Sequence, residues 1–182
     1  VELRTARLLL RNWREEDRSP FARLNADPEV RAHLGGAVDR ATSDGEFGRG
    51  RAMIDALGYG FWALERLADG AFLGFCGIKP VSFEARFTPA VEIGWRLARE
   101  YWGQGYASEA ARISLEYGFE TLGLAEIVSF TVPANLRSQA VMHRLGFRAD
   151  GGFDHPKLPE GDALRWHLLF RLARAEWAGK HF

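Results

Sequence analysis

Apolar residues along this chain fall into two rhythms, and the points where one gives way to the other divide it into elements. Residues 7–12, RLLLRN, form a short aliphatic run that predicts a first strand, and residues 13–24 predict a helical stretch after it. Asp27 followed by Pro28 has the form of a helix cap with proline at the first helical position, so a helix start is expected there. A further helix is expected over 43–57, after the break at Gly35 and Gly36. From Gly60 the spacing becomes strand-like: residues 61–66 and 71–80 flank Asp69-Gly70, a strong local signal for a hairpin. A strand over 90–97 follows the loop 82–89. Helix 105–121, strand 126–132, helix 135–145 and closing strands at 147–151 and 163–172 complete the series. Antiparallel strands first and a β-α-β-α-β segment afterwards predict an α/β fold with a mixed sheet and helices on both faces.

The chain has 182 residues, 47% of them hydrophobic, which is enough for one sizeable core and too few for two, so a single domain over 1–182 is expected. Lys+Arg and Asp+Glu stand at 24 each; with no net field, neither nucleic acid nor an anionic membrane is an expected partner. The apolar runs fall far below the roughly 20 residues needed to cross a bilayer, and VELRTARLLLRNW has no signal-peptide pattern, so a soluble cytoplasmic protein is expected. Cys76 is the single cysteine. The histidines, His33, His143, His155, His167 and His181, have no metal-site spacing with Cys, Asp or Glu, so no metal is expected.

The most informative segment joins the strand VEIGWRL (91–97) to EYWGQGYASEA (100–110), which runs into a helix. A strand, a glycine turn and a helix N-terminus gather backbone N–H groups around one point where the helix dipole favours negative charge, a cradle for phosphate. No Lys-Ser or Lys-Thr follows the glycines, and Ser108 stands where a dinucleotide fingerprint needs a third glycine, so both nucleotide readings weaken. A Gly-x-Gly on its own is more often no more than a chain turn.

A second segment, VPANLRSQAVMHRLGF (132–147), changes the balance. With it, the chain resembles the GNAT superfamily of acyl-CoA-dependent N-acyltransferases, and within it the RimL/RimJ-like branch. Gly105 and Ala107 fall in the fixed places of the family's Q/R-x-x-G-x-G/A loop, with Trp102 departing from the first place; Asn135, Ser138, Gly146 and Phe147 match its N-x-x-S/A and G-F pattern. The resemblance covers essentially the whole chain, from TARLLLRNWREEDRSPFARLNADPEVRAHL to the segment 165–171 and Glu176-Trp177. It implies a GNAT fold: a twisted, mostly antiparallel sheet of about seven strands in which the strands at 90–97 and 126–132 splay apart. It implies acetyl-CoA as cosubstrate, its pyrophosphate on Trp102, Gly103, Gln104, Gly105, Tyr106, Ala107 and Ser108, and its pantetheine arm along the backbone of Ile93, Gly94, Trp95, Arg96 and Leu97. Asn135 would bond the pantetheine side, although an Asn with Ser138 three residues on equally suits a helix N-cap.

Acyl transfer to an amine needs a neutral nitrogen, donors for the developing oxyanion and a proton for the departing thiolate. Glu92 is the candidate base, through water; by β alternation it could equally be a solvent-facing strand residue. Many family members carry a Tyr acid seven residues after the Asn. Here that place is Met142, and Ser138 becomes the thiolate partner, an orienting donor rather than a strong acid. An α-amine of pKa about 7.7–8.0 is partly neutral at cell pH, whereas a lysine amine near about 10.4 needs a stronger base. The expected acceptor is therefore the α-amine of a protein or peptide N-terminus, attacked directly in a ternary complex. The alternatives are a small amine (amino acid, polyamine or aminoglycoside), for which Asp39, Asp44, Glu46 and Asp55 could attract a cation, although they equally suit the solvated face of a helix, or a catalytically silent CoA-binding module. By family habit the acceptor side spans 27–57 and 153–162, with His33 nearby, and the protein dimerises. Cys76 reads as a buried strand residue, and Phe61, Trp62, Phe72, Phe75 and Trp166 as core aromatics.

Overall fold

The computed structural model describes residues 1–178; His181 and the last positions of the expected domain lie outside them. The described residues group into two compact units, Val1–Ile78 with Gly94–Ser114, and Lys79–Ile93 with the chain from Leu115 onward.

In the first unit β1 (Leu3–Arg4), β2 (Leu8–Arg11), β3 (Phe61–Arg66) and β4 (Phe72–Pro80, its last residues in the second unit) pair antiparallel in chain order. The Asp69-Gly70 hairpin is present, with Trp62 opposite Cys76. Leu8, Leu10, Trp62, Leu64, Leu73 and Cys76 are fully buried, and their removal from water drives this layer together. A 3₁₀ turn (Glu15–Asp17) leads into α1 (Arg18–Ala26), and α2 (Arg40–Leu57) follows. Phe21 and Phe47 of these helices meet Trp13 with ring centroids 4.9 and 5.6 Å away, and Trp13 Nε1 donates to the Phe61 carbonyl at 2.8 Å. Beneath this layer Arg11 makes a buried two-pronged pair with Asp17 at 2.7 and 2.9 Å.

The expected helix start at Asp27 is not formed. α1 ends there, and the Asp27 carboxylate accepts the Glu29 N–H at 2.9 Å in a local turn. The side chain that can cap a helix can also close such a turn, and here the chain passes through Gly35 and Gly36 before helix resumes. α2 starts three residues before the expected Ser43 because Asp39 accepts the Thr42 N–H at 2.8 Å.

β5 (Val91–Leu97) begins in the second unit and ends in the first, where the Ala98 N–H donates to the Leu73 carbonyl at 2.9 Å. Gly74 is pressed onto the same strand: a Cβ at that position would stand 2.1 Å from the Arg96 carbonyl oxygen. A 3₁₀ turn (Arg99–Tyr101) and α3 (Tyr106–Glu116) follow, and a π-type turn (Tyr117–Thr121) replaces the last part of the expected helix.

In the second unit β5 meets β6 (Glu126–Thr131) in parallel, β6 pairs antiparallel with β8 (Trp166–Ala173), and β8 pairs antiparallel with β7 (Arg148–Asp154). β5 and β6 share one bridge, Glu92 opposite Val128, which is the expected splay. The Ser129 hydroxyl donates to the Ile93 carbonyl at 3.1 Å beside it. α4 (Leu136–Leu145) precedes β7 and α5 (Arg174–Ala178) closes the described chain. Phe87, Val128, Phe153 and Leu169 form one buried cluster of this unit. The α/β class with mostly antiparallel strands is as expected, and the eighth strand is β1, two residues too short for periodicity to reveal. Trp166 corrects an expectation: it is 49% exposed, because it lies at the outer end of β8 with its ring over Gly152.

Candidate active site

In the first unit the turn after β5 has the chemistry of an anion cradle. Gly103 and Gly105 have φ of 72° and 82°, the left-handed region that L side chains resist. Space is not what requires glycine: a Cβ at Gly103 would meet nothing within 4 Å, and at Gly105 only Arg7 Nη2 at 3.4 Å. Gly103, Gln104 and Gly105 are exposed, and the helical ladder begins with the Glu109 N–H on the Gly105 carbonyl, so the amides of Tyr106 and Ala107 lie ahead of it. Trp102, the departure from the family loop, donates Nε1 to the Leu97 carbonyl at 2.9 Å and so ties the turn back to β5.

Sequence reasoning missed Arg7 at this turn. Its guanidinium lies 4.4 Å from the Tyr106 ring centroid, donates to the Gln104 carbonyl at 3.0 Å and pairs with Glu109 at 2.6 Å. Glu109 in the first turn of α3 would repel a phosphate. Its partial burial works to raise the carboxyl pKa, but bonds from Thr5 and Arg7 outweigh burial and hold it below the ordinary range, as a neutralised partner rather than an open charge. The turn therefore fits a pyrophosphate. Only the glycine pattern could be read from the sequence, since Arg7 is about a hundred residues away along the chain.

In the second unit Glu92 is not solvent-facing. Its side chain is 13% exposed, and Lys79 Nζ stands 3.0 Å from Oε1. Burial pushes the carboxyl above the ordinary glutamate range, with Lys79 and, more weakly, Lys157 acting the other way. Asn135 caps α4: its Oδ1 accepts the Ser138 N–H at 3.3 Å, and its Nδ2 donates to Thr131 Oγ1 at 2.9 Å and to Ser138 Oγ at 3.1 Å. As the Ser138 hydroxyl accepts from Asn135, its own proton is available to donate elsewhere. Met142, in the family's acid place, is buried.

The same unit holds a group of rings that the sequence did not single out. Phe83, Phe130, Phe153, His155 and His167 pack with centroids 4.5–6.2 Å apart, with His155 and His167 at 5.0 Å. Burial, then His167 and Lys157, push the His155 pKa down to about 4, and burial lowers His167 as well, so both rings are neutral at cell pH.

The carboxylates considered for a polycation are each engaged. Asp39 caps α2, Asp44 pairs with Arg40 at 3.0 Å, Glu46 pairs with Arg96 at 3.0 Å, and Asp55 accepts from Asn12 at 2.7 Å. Cys76 is buried as expected, its thiol 3.9 Å from the Ser114 hydroxyl and its pKa pushed by burial to about 12. Among the described residues no cluster of His, Cys, Asp and Glu could hold a metal, and no helix is long and apolar enough to cross a membrane.

Comparison with known proteins agrees with this geometry. Residues 7–148 match the acetyltransferase (GNAT) domain model. The FsC-acetyl coenzyme A-N(2)-transacetylase of Aspergillus fumigatus is 32% identical over 96% of this chain and 77% of its own length. The crystal structure of an acetyltransferase from Agrobacterium tumefaciens superposes with a TM-score of 0.76 at 31% identity, covering 94% of each chain. RimL, a ribosomal L7/L12 alpha-N-protein acetyltransferase solved with coenzyme A, shares the fold, with a TM-score of 0.75 at 16% identity over 95% of this chain and 98% of its own. A glycine turn opening a helix, a splayed strand pair leading into it and a family match across most of the sequence lead to one conclusion: the chain belongs to the GNAT acetyltransferases.

Proposed function

We propose that this enzyme transfers the acetyl group of acetyl-CoA to the α-amine of a protein or peptide N-terminus, by direct attack in a ternary complex. The observation that carries the reading is Glu92, a carboxylate enclosed in a site that raises its proton affinity and held in place by Lys79. A base works best when its pKa approaches the working pH, and an α-amine of pKa about 8 asks only a modest one. Glu92 would take the amine's proton through a water.

Acetyl-CoA supplies an activated acyl carbon when bound. The turn from Trp102 to Ser108 would hold its pyrophosphate, the backbone of Ile93 to Leu97 its pantetheine arm, and Asn135 the same arm from α4. Ser138, accepting from Asn135, would direct its hydroxyl proton to the departing sulfur. A CoA thiol, with a pKa near about 8.5 by analogy with cysteine, needs little more. Charge supports this acceptor preference in part: Asp44 and Glu46 are paired with Arg40 and Arg96, which leaves only Asp39 and Asp55 of the four carboxylates without a cationic partner to attract a polyamine or an aminoglycoside. The RimL name describes transfer to an alpha-N position, and the fungal relative's name describes transfer to N(2) of FsC.

The test is free-thiol release with acetyl-CoA and a panel of N-terminal peptides, small monoamines and polyamines, run alongside calorimetric titration with acetyl-CoA. Turnover of peptides, reduced about 10²–10⁴-fold in Glu92→Gln, is expected. Turnover confined to polycations overturns the acceptor assignment. Tight acetyl-CoA binding with no turnover on any amine overturns the enzymatic one in favour of a silent CoA-binding module.

A further inference from the structure

In the first unit Arg96 of β5 enters a network with Asn25 of α1, Arg31 of the connecting loop and Glu46 of α2. Its two bonds to these neighbours leave from one nitrogen: Nη1 donates to Asn25 Oδ1 at 2.7 Å and to Glu46 Oε2 at 3.0 Å. Nε is buried and bonds to nothing. Arg31 is fixed differently, with Nε on the Gly36 carbonyl at 2.7 Å, Nη2 on the Leu34 carbonyl at 3.3 Å and Nη1 on Glu46 Oε1 at 3.3 Å. Asn25 is itself held, its Nδ2 donating to the Ser43 hydroxyl at 3.0 Å.

Two features of this arrangement are unusual for a structural ion pair. The charge does not balance: two guanidinium groups share the single carboxylate of Glu46, and the charges acting on Arg96 are Glu46, which favours its ionised form, and Arg31, which opposes it. A buried guanidinium normally has its donors filled, because a buried N–H without a partner loses the bonds water would give. Here the Asn25 and Glu46 bonds hold the guanidinium by one corner and leave Nε, half of the side-on fork that a carboxylate grips, without an acceptor. The network also reaches solvent, with Arg96 16% and Glu46 25% exposed. A planar cation over the Phe75 ring at 5.1 Å, fixed in orientation and short of one negative charge, is built to receive a planar anion.

We propose that Arg96 is the anchor for a carboxylate carried by the amine acceptor, received on its Nε edge and balancing the Arg31–Glu46–Arg96 charge. The proposal rests on the transferase reading above and adds a carboxylate to the acceptor: it narrows peptide N-termini to acidic ones, or, if the free amino acid is favoured, moves the acceptor to the small-amine class. Two sources carry that chemistry: the α-carboxylate of a free amino acid, or an acidic side chain next to a peptide N-terminus.

Matched acceptors decide it. Leucine is compared with leucinamide, and a Leu-Asp peptide amide with its Leu-Asn counterpart, by kcat/KM from thiol release; calorimetry compares N-acetylleucine with N-acetylleucinamide. The carboxylate member of at least one pair should be favoured by about tenfold or more, and the favoured pair identifies the source. For leucine that preference would run against intrinsic reactivity, since its amine is the more basic and the less often neutral. In Arg96→Gln the ratio should fall towards one, and Arg96→Lys should restore part of it; taking the ratio within each variant cancels a general loss of activity or folding. Ratios near one in both pairs for the native enzyme, or a preference that survives in Arg96→Gln, overturn the proposal. If no amine is turned over, it is the transferase reading that fails, and the calorimetric ratio still decides for or against Arg96.

Discussion

Replacing Lys79 by Met should move the acid limb of the pH–kcat/KM profile upward and leave its plateau largely in place. Lys79 Nζ lies 3.0 Å from Glu92 Oε1, with 21% and 13% of the two side chains exposed. At an effective dielectric of about 20, unit charges at that separation attract by roughly 5–6 kcal/mol before any solvation cost. Both ions have left most of their water, so the net contribution is smaller, about 1.5–3 kcal/mol for a charge-assisted bond. Since one pH unit corresponds to about 1.4 kcal/mol, losing the ammonium should shift the acid limb up by about one to two units. The sign follows from the base: Glu92 must be ionised to accept a proton, burial already raises its pKa, and Lys79 opposes that rise, so without Lys79 the carboxyl stays protonated to higher pH. Lys157 acts on Glu92 in the same sense as Lys79, more weakly.

The assay is thiol release over about pH 5.5 to 9.5 at subsaturating acceptor, with Lys79→Arg as the charge-preserving control, which should return the limb towards its native place. Glu92→Gln should lose the Glu92 limb and keep only the one set by the acceptor amine's own pKa of about 8. A limb unmoved in Lys79→Met but absent in Glu92→Gln would mean that the ammonium does not govern the carboxyl. A second limb, below the one set by the acceptor amine, still present in Glu92→Gln would mean that another group is the base.

Three further outcomes are expected. Asp17→Ala strands the buried Arg11 guanidinium and should cost about 3–5 kcal/mol in chemical denaturation, whereas a loss below about 1 kcal/mol would show that Glu65 alone satisfies Arg11. Gly105→Ala places a Cβ at φ 82°, so it should weaken acetyl-CoA binding in calorimetry and lower stability by about 1 kcal/mol or more; unchanged affinity would detach the turn from the cosubstrate. With its pKa pushed to about 12, Cys76 should resist thiol reagents at neutral pH in the folded protein and react only on unfolding, and prompt labelling would contradict its burial.

What could be read from the sequence were features whose cause is local. Periodicity located the strands from Phe61 to Leu97 within a residue or so, and the glycine turn announced a helix N-terminus, because alternation and left-handed glycine depend on immediate neighbours. Asp27 misled because one side chain serves two local structures with the same partners at hand, and only the packing of α1 and the loop after it chooses between them. The same boundary runs through the site. Glu92 and Ser138 were visible as residue types in a motif, but their state is set by partners far along the chain or by local bonds that a motif does not display: Lys79, thirteen residues back across a loop, and the Asn135 amide that turns the Ser138 hydroxyl into a donor. Charge shows this most directly. By composition the chain is neutral, and its acidic residues on α2 read either as a field for cations or as a solvated helix face; in the fold Asp44 and Glu46 are paired with arginines, and around Glu46 the local imbalance is positive, at Arg96 and Arg31. Net charge sums over the chain, whereas a ligand meets only the charges left after internal pairing. Acceptor chemistry in this enzyme should therefore follow the unpaired edge of Arg96 rather than the count of acids around it.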